Sequence, residues 1–399
     1  MPRRNSVEGD AAVRQGSDGT MVVSRSTPCA LFVYYREWFD EVRVEWEPMA
    51  RAAAMAGTTA VVACWEDLEA EAGVARVRDA FLCPAGADGC TRVPAVECAP
   101  TIVFTTWGSA GYRGVLAELL AAGALSSEGE VVAHMDGKIE LERCLRRYEQ
   151  ASGRSVDRPT TYLPDEPLPS TADPSRLVVL KPSGGGQGKG IQIVEAGEVA
   201  AYQQRVTDGD FDPFVVQELI GDAFLYDGHR WGMRLNVLIT SLTPVRYVLY
   251  PEGVAKVSVR AASPGGRSLD EWIDNDAPSR PARLPVTSML QHLEREHGVS
   301  FDKFWPQVRE LVEDVVGAIE LEAQRLSLPL GREFLYPGLD LLLERRGERD
   351  HRVCLIELNS HPGQDWRDEP VQAALTPVWM AWFEELGQHE LSAASPDVD

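Results

Sequence analysis

The stretch Leu177-Val-Val-Leu-Lys-Pro-Ser-Gly-Gly-Gly-Gln-Gly-Lys-Gly190 predicts a buried strand that runs directly into a glycine-rich loop. Five glycines stand among the eight residues from Ser183 to Gly190, and Ile191-Gln-Ile-Val194 predicts a second strand. Glycines let backbone N–H groups approach a phosphate closely, and Lys189 adds a point charge suited to phosphate oxygens. The pattern therefore predicts a flap, between two strands, that closes over phosphates.

Two familiar phosphate-binding loops do not fit this stretch. A Walker A loop needs a glycine where Ser183 stands and a Ser or Thr where Gly190 stands. The dinucleotide fingerprint needs a third glycine where Ile191 stands, and both motifs require a helix after the loop. The alternative is a flexible hairpin loop with incidental lysines. Lys181 weighs against it, because an amine ending an apolar run points into an enclosed place, where an unpaired charge is costly.

A second motif is an acidic hairpin near the C-terminus. If its turn is centred between Glu348 and Arg349, Asp340 lies opposite Glu357, and Asn359 shares the face of Glu357 because side chains alternate along a strand. Such oxygen ligands suit Mg²⁺, for which Mn²⁺ can substitute. The alternative is a sheet whose polar face meets solvent, which explains poorly an aspartate within an apolar run. The two predicted strands are Gly338–Glu344 and Arg352–Asn359.

Composition excludes several classes of function. Lys and Arg number 39 against 61 Asp and Glu, and the resulting net charge of −22 disfavours nucleic acid and strongly acidic partner proteins. No apolar run approaches the roughly 20 residues of a membrane span, so no membrane partner and a cytoplasmic protein are expected.

The cysteines number seven and contain no CxxC. Cys83, Cys90 and Cys98 lie close enough to suggest a metal cluster, but their spacing is unlike that of zinc sites. Reduced, structural cysteines are therefore expected.

Several motifs, in this order, resemble the ATP-grasp superfamily: the loop 181–190, Val-Val-Gln-Glu-Leu-Ile at 215–220, and Leu-Ile-Glu-Leu-Asn-Ser-His-Pro-Gly at 355–363. More narrowly, Asp227-Gly-His-Arg-Trp-Gly-Met-Arg-Leu-Asn-Val-Leu-Ile-Thr-Ser-Leu-Thr-Pro244 and Tyr250-Pro-Glu-Gly253 look like the tubulin–tyrosine ligase branch. The resemblance implies a fold of α/β and α+β class, in which two α+β subdomains grip ATP.

The resemblance also implies a role for each matching residue. The residues matched to ATP binding are Lys138, Lys181, Ser183, Gly184, Gly185, Gly186, Gln187, Gly188, Lys189, Gln217, Glu218, Leu219 and Arg230. Those matched to the reacting carboxylate are Arg234 and Lys256, and the matched magnesium ligands are Asp340, Glu357 and Asn359. The sequence departs from the family at Arg230, where a lysine is usual, at Lys256, where the branch has arginine, and at Gly232, where the family has aspartate. The last departure puts polar contacts to the nucleotide ribose in doubt.

The predicted organisation follows from the resemblance and from the strand–helix alternation near the N-terminus, which predicts a small parallel α/β domain. The predicted segments are a disordered leader at 1–26, the N-terminal α/β domain at 27–135, an ATP-grasp domain at 136–392 with a flap subdomain at about 155–225, and a disordered tail at 393–399.

The expected activity is ATP-dependent ligation of a carboxylate to an amine through an acyl phosphate, with release of ADP and phosphate. Because the chain is acidic and its Ala, Gly, Val and Arg usage resembles that of GC-rich bacteria, we expect a bacterial ligase acting on small amino acids or peptides, with tubulin disfavoured. The alternatives are a ligase that modifies a protein or peptide terminus, and a nucleotide-binding regulatory protein without ligation. Trp379–Phe383 predicts either a helix packed on the core or a homodimer interface.

Overall fold

The computed structural model describes residues 13–34, 39–87, 89–105, 113–127, 129–168, 173–184, 188–272, 283–298, 300–328, 334–347, 350–362 and 368–393. They form two compact units. The first comprises the described residues within 1–128, 331–334 and 363–399, and the second those within 129–330 and 335–362.

Both units contain β-sheets and α-helices, an α/β architecture that is consistent with the predicted ATP-grasp fold. The strands are β1 (Val13–Gln15), β2 (Met21–Val23), β3 (Cys29–Tyr34), β4 (Thr59–Cys64), β5 (Leu68–Glu71), β6 (Val74–Cys83), β7 (Thr91–Cys98), β8 (Ile102–Thr105), β9 (Leu125–Ser126), β10 (Thr161–Tyr162), β11 (Leu177–Pro182), β12 (Gln192–Glu195), β13 (Phe214–Glu218), β14 (His229–Leu242), β15 (Val245–Leu249), β16 (Val254–Ala261), β17 (Arg283–Pro285), β18 (Gly338–Arg345) and β19 (His351–Asn359). The helices are α1 (Phe39–Met55), α2 (Arg113–Ala121), α3 (Glu130–Met135), α4 (Lys138–Ser152), α5 (Val199–Thr207), α6 (Val286–His297), α7 (Phe304–Leu326) and α8 (Glu369–Ala393).

The first unit is built on a nine-stranded sheet. Its centre is parallel, because β3 pairs with β4 and β8, and β8 pairs with β9. The apolar strands β3 and β4 are buried along their whole length, which is typical of strands covered on both faces. The predicted parallel α/β core is therefore present, and the antiparallel strands β5, β6 and β7 extend it.

Two sequence-based predictions about the first unit are wrong in part. The leader predicted to be disordered contains β1 and β2, which pair with each other, so that prediction is wrong for residues 13–26; residues 1–12 lie outside the described part. Cys83 and Cys90 form a disulfide, so the prediction of reduced cysteines is wrong for this pair, which the turn after β6 brings together. The other five cysteines are buried and are not disulfide-bonded.

The C-terminal helix α8 belongs to the first unit, whereas the predicted ATP-grasp domain at 136–392 includes nearly all of it. Trp379 and Trp382 are fully buried, and the Phe383 ring lies 5.7 Å from the Phe104 ring, centroid to centroid. The aromatic segment is thus a core helix, and the homodimer interface that it suggested has no support. Residues 394–399 of the predicted tail lie outside the described part.

The second unit contains two antiparallel sheets. The first sheet has the order β10-β13-β11-β12 and carries α5. The second has the order β17-β16-β14-β18-β19, with β15 paired to β14. A large core cluster joins the apolar face of the second sheet to α4, α6 and α7. The amphipathic pattern of the sequence predicts a long helix from Phe304 to Leu326, and α7 has these bounds. The opposite, polar face of this sheet carries the side chains described next.

None of the described helices is both long enough and apolar enough to cross a membrane.

Candidate active site

A cavity of about 1150 Å³, part of which is open to solvent, lies between the two sheets of the second unit. Alternation along β11 creates one wall, because Val178 and Leu180 pack into the core below while Val179 and Lys181 face the cavity. Alternation along β14 and β18 creates the other wall. The lining of the cavity is mainly apolar with a few polar groups, which is typical of ligand pockets.

The acidic hairpin supplies the carboxylates of the cavity. Asp340 pairs with Glu357 in the sheet register, as the sequence predicts. The hairpin register is one residue different from the predicted one over most of its length, since Arg345 pairs with His351 and Leu341 with Leu355. A β-bulge at Ile356 compensates for this difference and returns Asp340 to the position opposite Glu357.

Arg234 on β14 binds Asp340 with both ends of its guanidinium. Nε donates to Oδ1 and Nη2 to Oδ2, each at 2.7 Å. Asn359 Nδ2 also donates to Asp340 Oδ2, at 3.4 Å. Burial alone would raise the pKa of Asp340, but Arg234 and Lys256 outweigh it and lower that pKa to about 2. Asp340 is therefore an ionised, acceptor-only group at neutral pH.

The predicted lysines Lys138 and Lys181 reach Glu357 and the adjacent Ile356 of the hairpin. Lys138, the first residue of α4, pairs with Glu357 through Nζ and Oε1 at 2.8 Å, and its backbone N–H donates to Ser183 O at 3.2 Å. Lys181 is 6% exposed, and Nζ donates to Ile356 O at 3.4 Å. Burial, assisted by the charge of Lys138, lowers the pKa of Lys181 to about 8.

Lys256 on β16 faces the cavity from the cross-strand position next to Gly232. It is 7% exposed, and burial together with the charge of Arg234 lowers its pKa to about 8. Its other cross-strand neighbour is Arg283, which is not among the predicted site residues. A buried amine of this kind is costly to keep charged without an anion, so this end of the cavity suits an anionic ligand.

The predicted hinge lines the cavity, but its side chains already have partners. Gln217 Nε2 donates to Thr161 Oγ1 at 3.1 Å, and Glu218 Oε1 accepts from Arg176 Nη1 at 2.9 Å. Leu219 lines the cavity as well.

The glycine-rich loop is described only at its two ends. Gly188 lines the cavity, and it and Gly190 have φ of 80° and 75°, values that favour glycine. Ser183 and Gly184 are at the other end, whereas Lys189 is exposed. The predicted residues Gly185, Gly186 and Gln187 lie outside the described part.

Two aromatic features of the cavity were not predicted. Trp272 lines it beside Arg230, whose Cζ lies 3.7 Å from the centroid of the Trp272 ring. This tryptophan lies in the stretch 261–280, whose content of Ser, Pro, Gly and Asp predicts only a loop. The neighbouring Trp231 is a core residue whose Nε1 donates to Phe224 O.

A comparison with protein-family models matches residues 141–271, about a third of the chain, to the tubulin-tyrosine ligase family. The matched part contains Lys181, the hinge, Arg230, Arg234 and Lys256, and it ends before the acidic hairpin.

Curated relatives match over a wider part of the chain. The tubulin polyglutamylase TTLL7 of Mus musculus is 25% identical over 47% of this chain and 22% of the relative. The tubulin polyglutamylase TTLL11 of Homo sapiens is 25% identical over 58% of this chain and 36% of the relative, and the inactive polyglycylase TTLL10 of Homo sapiens is 26% identical over 48% and 32%. This chain thus spans only about a fifth to a third of the length of these relatives.

These relatives contradict one prediction. Small-molecule substrates were expected and tubulin was disfavoured because of the net charge, yet two of these relatives are named for action on tubulin. Charge summed over a chain says little about one site, since exposed charges are screened beyond about 8 Å at physiological salt. The cavity itself is lined by the cations Lys181, Arg230 and Lys256, and Arg234 and Lys138 pair with its carboxylates Asp340 and Glu357. The bacterial origin also finds no support in these relatives, whereas the similarity of residues 141–271 to the tubulin-tyrosine ligase family supports the branch that the sequence motifs resemble.

Proposed function

We propose that this protein is an ATP-dependent ligase that joins the amine of an amino acid to a carboxylate of a protein or peptide. The observation that carries the proposal is that buried Lys181 and Lys256 line one cavity together with Asp340 and Glu357, and that Arg234 binds Asp340 there. Cations for phosphate and carboxylate groups lie there beside oxygen ligands for a divalent metal.

The nucleotide would occupy the cavity between the two sheets. Lys138 and Lys181 suit its phosphates, because each is a buried amine that an anionic ligand would help to keep charged. Ser183 to Lys189 would cover the phosphates, and Arg230 would add a further charge. Val179, Ile193 and Ile356 supply apolar surface of the kind that contacts a purine, next to the hinge Gln217 to Leu219.

The acidic hairpin fits a hard divalent cation such as Mg²⁺ or Mn²⁺. Asp340 is ionised at neutral pH, Glu357 is its cross-strand neighbour, and the side chain of Asn359 lies 3.4 Å from Asp340. All three offer oxygen ligands, which such cations prefer. When bound there, the cation would neutralise charge on the nucleotide phosphates. Arg234 pairs with Asp340 and Lys138 pairs with Glu357, so these two cations also neutralise the carboxylates.

The reaction needs positioning and charge stabilisation more than covalent catalysis. An acceptor carboxylate oxygen attacks the γ-phosphorus of ATP, the bond to the ADP oxygen breaks, and an acyl phosphate forms. The amine then attacks the acyl carbon, phosphate leaves, and the amine loses a proton to solvent. Arg234 and Lys256 would hold the carboxylate and the developing negative charge. Closure of the glycine-rich loop would exclude the water that hydrolyses an acyl phosphate.

The protein or peptide acceptor is supported by the relatives named as tubulin polyglutamylases. We therefore propose a glutamate-rich protein segment as the acceptor class, with the C-terminal tail of tubulin as the first example to test. Such a segment presents carboxylates to the cationic cavity, where attraction acts at short range despite the net charge of the chain.

One assay tests the proposal. The full chain is incubated with ATP, Mg²⁺, a panel of amino acids and either tubulin or a glutamate-rich peptide, and both ADP release and acceptor mass are measured. ADP release that requires both acceptor and amino acid, with one residue mass added per event, supports it. The same peptide with every glutamate replaced by glutamine is the matched control and should stay unmodified.

A second candidate, nucleotide binding without ligation, has two observations in its favour. Gly232 stands where the family has aspartate, and one relative is named an inactive polyglycylase. Tight ATP binding without turnover for every acceptor and amino acid would favour this candidate.

A further inference from the structure

The guanidinium of Arg230 lies against the face of an indole. Its Cζ is 3.7 Å from the centroid of the Trp272 ring, which is van der Waals contact. Arg230 belongs to β14, whereas Trp272 directly follows the short 3-10 turn Leu269–Glu271. Both side chains line the cavity. The aromatic surface that supports the cation therefore comes from another part of the chain.

The loop that carries Trp272 holds the indole in place by its own hydrogen bonds. Nε1 of Trp272 donates to Gly266 O at 3.1 Å, and its backbone N–H donates to Leu269 O at 2.8 Å. Glu271 binds back to the same loop, because Ser263 donates to Glu271 Oε2 through its hydroxyl at 2.6 Å and its backbone N–H at 3.1 Å. The indole is thus a fixed platform rather than a loose surface residue.

Arg230 has hydrogen-bonding capacity left over. Its Nε atom is buried and has no hydrogen-bond partner among the described residues. Contact with the indole restricts the side chain without using N–H groups, because the attraction acts on the π face of the ring. A planar guanidinium can stack in this way and still donate in its plane, which an ammonium cannot do.

We propose that Trp272 is a positioning residue that holds Arg230 ready to bind anionic oxygens of the nucleotide. This rests on the proposed function, because it requires a nucleotide in the cavity. It also accounts jointly for two departures from the family. Arginine stands at 230 where the family has lysine, and glycine stands at 232 where the family has aspartate. Residues 230 and 232 share one face of β14, so Gly232 leaves no second side chain beside Arg230. The Arg230–Trp272 pair does the positioning that a side chain at 232 would otherwise share.

A double-mutant cycle on the full chain tests this. Dissociation constants for Mg²⁺ with ADP, and with a non-hydrolysable ATP analogue, are measured by calorimetry for Trp272→Ala, Arg230→Lys and the double variant. Because a cation–π contact contributes a few-fold to about 30-fold in affinity, each single variant should bind about 3- to 30-fold more weakly. The double variant should bind no more weakly than the weaker single variant, because both substitutions remove one interaction.

Two further variants separate positioning from folding. Trp272→Phe keeps an aromatic face with weaker attraction, so its affinity should lie between those of the unaltered protein and Trp272→Ala. Trp305→Phe, in α7 of the same unit and packed on the core away from the cavity, is the matched control and should bind normally. Equal affinity of the Trp272 variants and the unaltered protein, or losses that add in the double variant, would overturn the inference. No nucleotide binding by the unaltered protein would overturn the proposed function and this inference together.

Discussion

Arg234 and Asp340 face each other across neighbouring strands and share two hydrogen bonds of 2.7 Å, which makes them the most closely paired ions of the candidate site. Their side chains are only 10% and 24% exposed. The pair thus unites the residue assigned to the reacting carboxylate with one assigned to the metal, so a change in either should affect both stability and activity.

Asp340→Asn should reduce ligase activity by on the order of 100-fold or more, because a metal ligand and a charge partner are lost together. It should also lower the free energy of unfolding by about 2–4 kcal/mol, since Arg234 remains buried without its counter-ion. Turnover numbers and urea unfolding curves measure the two effects. Asp79→Asn, which removes the exposed partner of Arg92, is the control and should leave activity unchanged. Full turnover by Asp340→Asn would show that the metal-site assignment is wrong.

Glu357→Gln should abolish activity with less effect on the fold than Asp340→Asn. Glu357 pairs with the single amine of Lys138, and an amide oxygen can still accept that hydrogen bond. Calorimetric titration with Mg²⁺ and ADP together should show weaker binding of the metal–nucleotide complex. Unchanged affinity and unchanged turnover would remove Glu357 from the site.

Lys181→Met should weaken nucleotide binding more than tenfold while leaving the nucleotide-free protein equally or more stable. The lysine is buried, and burial disfavours its charged form, as its lowered pKa of about 8 indicates. Methionine has a similar length and no charge to desolvate. Thermal melts with and without Mg²⁺–ADP measure both effects. A variant that is stabilised by nucleotide as strongly as the unaltered protein would contradict the phosphate role.

Glu322 should make the free energy of unfolding depend on pH at values below those at which most carboxylates titrate. Burial alone would raise its pKa from 4.5, but hydrogen bonds from Arg325 and Arg147 lower it to about 2. A lowered pKa in the folded state means that its stabilising contribution is complete above about pH 4.5 and is lost as the pH falls toward 2. Glu322→Gln should therefore give a flatter dependence of unfolding free energy between pH 5 and 2.

Urea unfolding across that pH range checks this prediction. Glu310→Gln, which changes an exposed carboxylate of the same helix, is the control and should keep the dependence of the unaltered protein. An unchanged slope in Glu322→Gln would contradict the assignment.

The disulfide predicts a thiol count. In denaturant without reductant, titration should find five free thiols, because Cys83 and Cys90 are joined. Reduction should raise the count to the seven cysteines of the sequence. Seven thiols before reduction would contradict the disulfide and restore the sequence-based expectation of reduced cysteines.

The acidic hairpin and the long helix were predictable because local patterns determine them. The assumed turn centre predicted the Asp340–Glu357 pairing, and the amphipathic pattern predicted α7 to the residue. The bulge at Ile356 was not predictable. The strands pair in a register shifted by one residue from the predicted one, and the extra residue Ile356 cancels that shift at Asp340, so the same pair forms either way. Trp272 was missed for a different reason, because its partner Arg230 lies 42 residues earlier and only the fold brings them together.

The small-molecule expectation failed because net charge averages over a whole chain. Charges remote from the site count fully in that sum, although salt screens them at the cavity. The net charge also gave no weight to Arg234 and Lys138, which pair with Asp340 and Glu357 only in the folded protein.

The most direct test of the proposed acyl phosphate follows oxygen from the acceptor carboxylate into phosphate. A glutamate-rich acceptor peptide with ¹⁸O in its carboxylates is incubated with ATP, Mg²⁺ and glutamate, and the released phosphate is analysed by mass spectrometry. Ligation through an acyl phosphate predicts one ¹⁸O in the phosphate for every amide bond formed, because the carboxylate oxygen that attacks ATP leaves with the phosphate. Phosphate without ¹⁸O, or release of ADP without peptide modification, would contradict it.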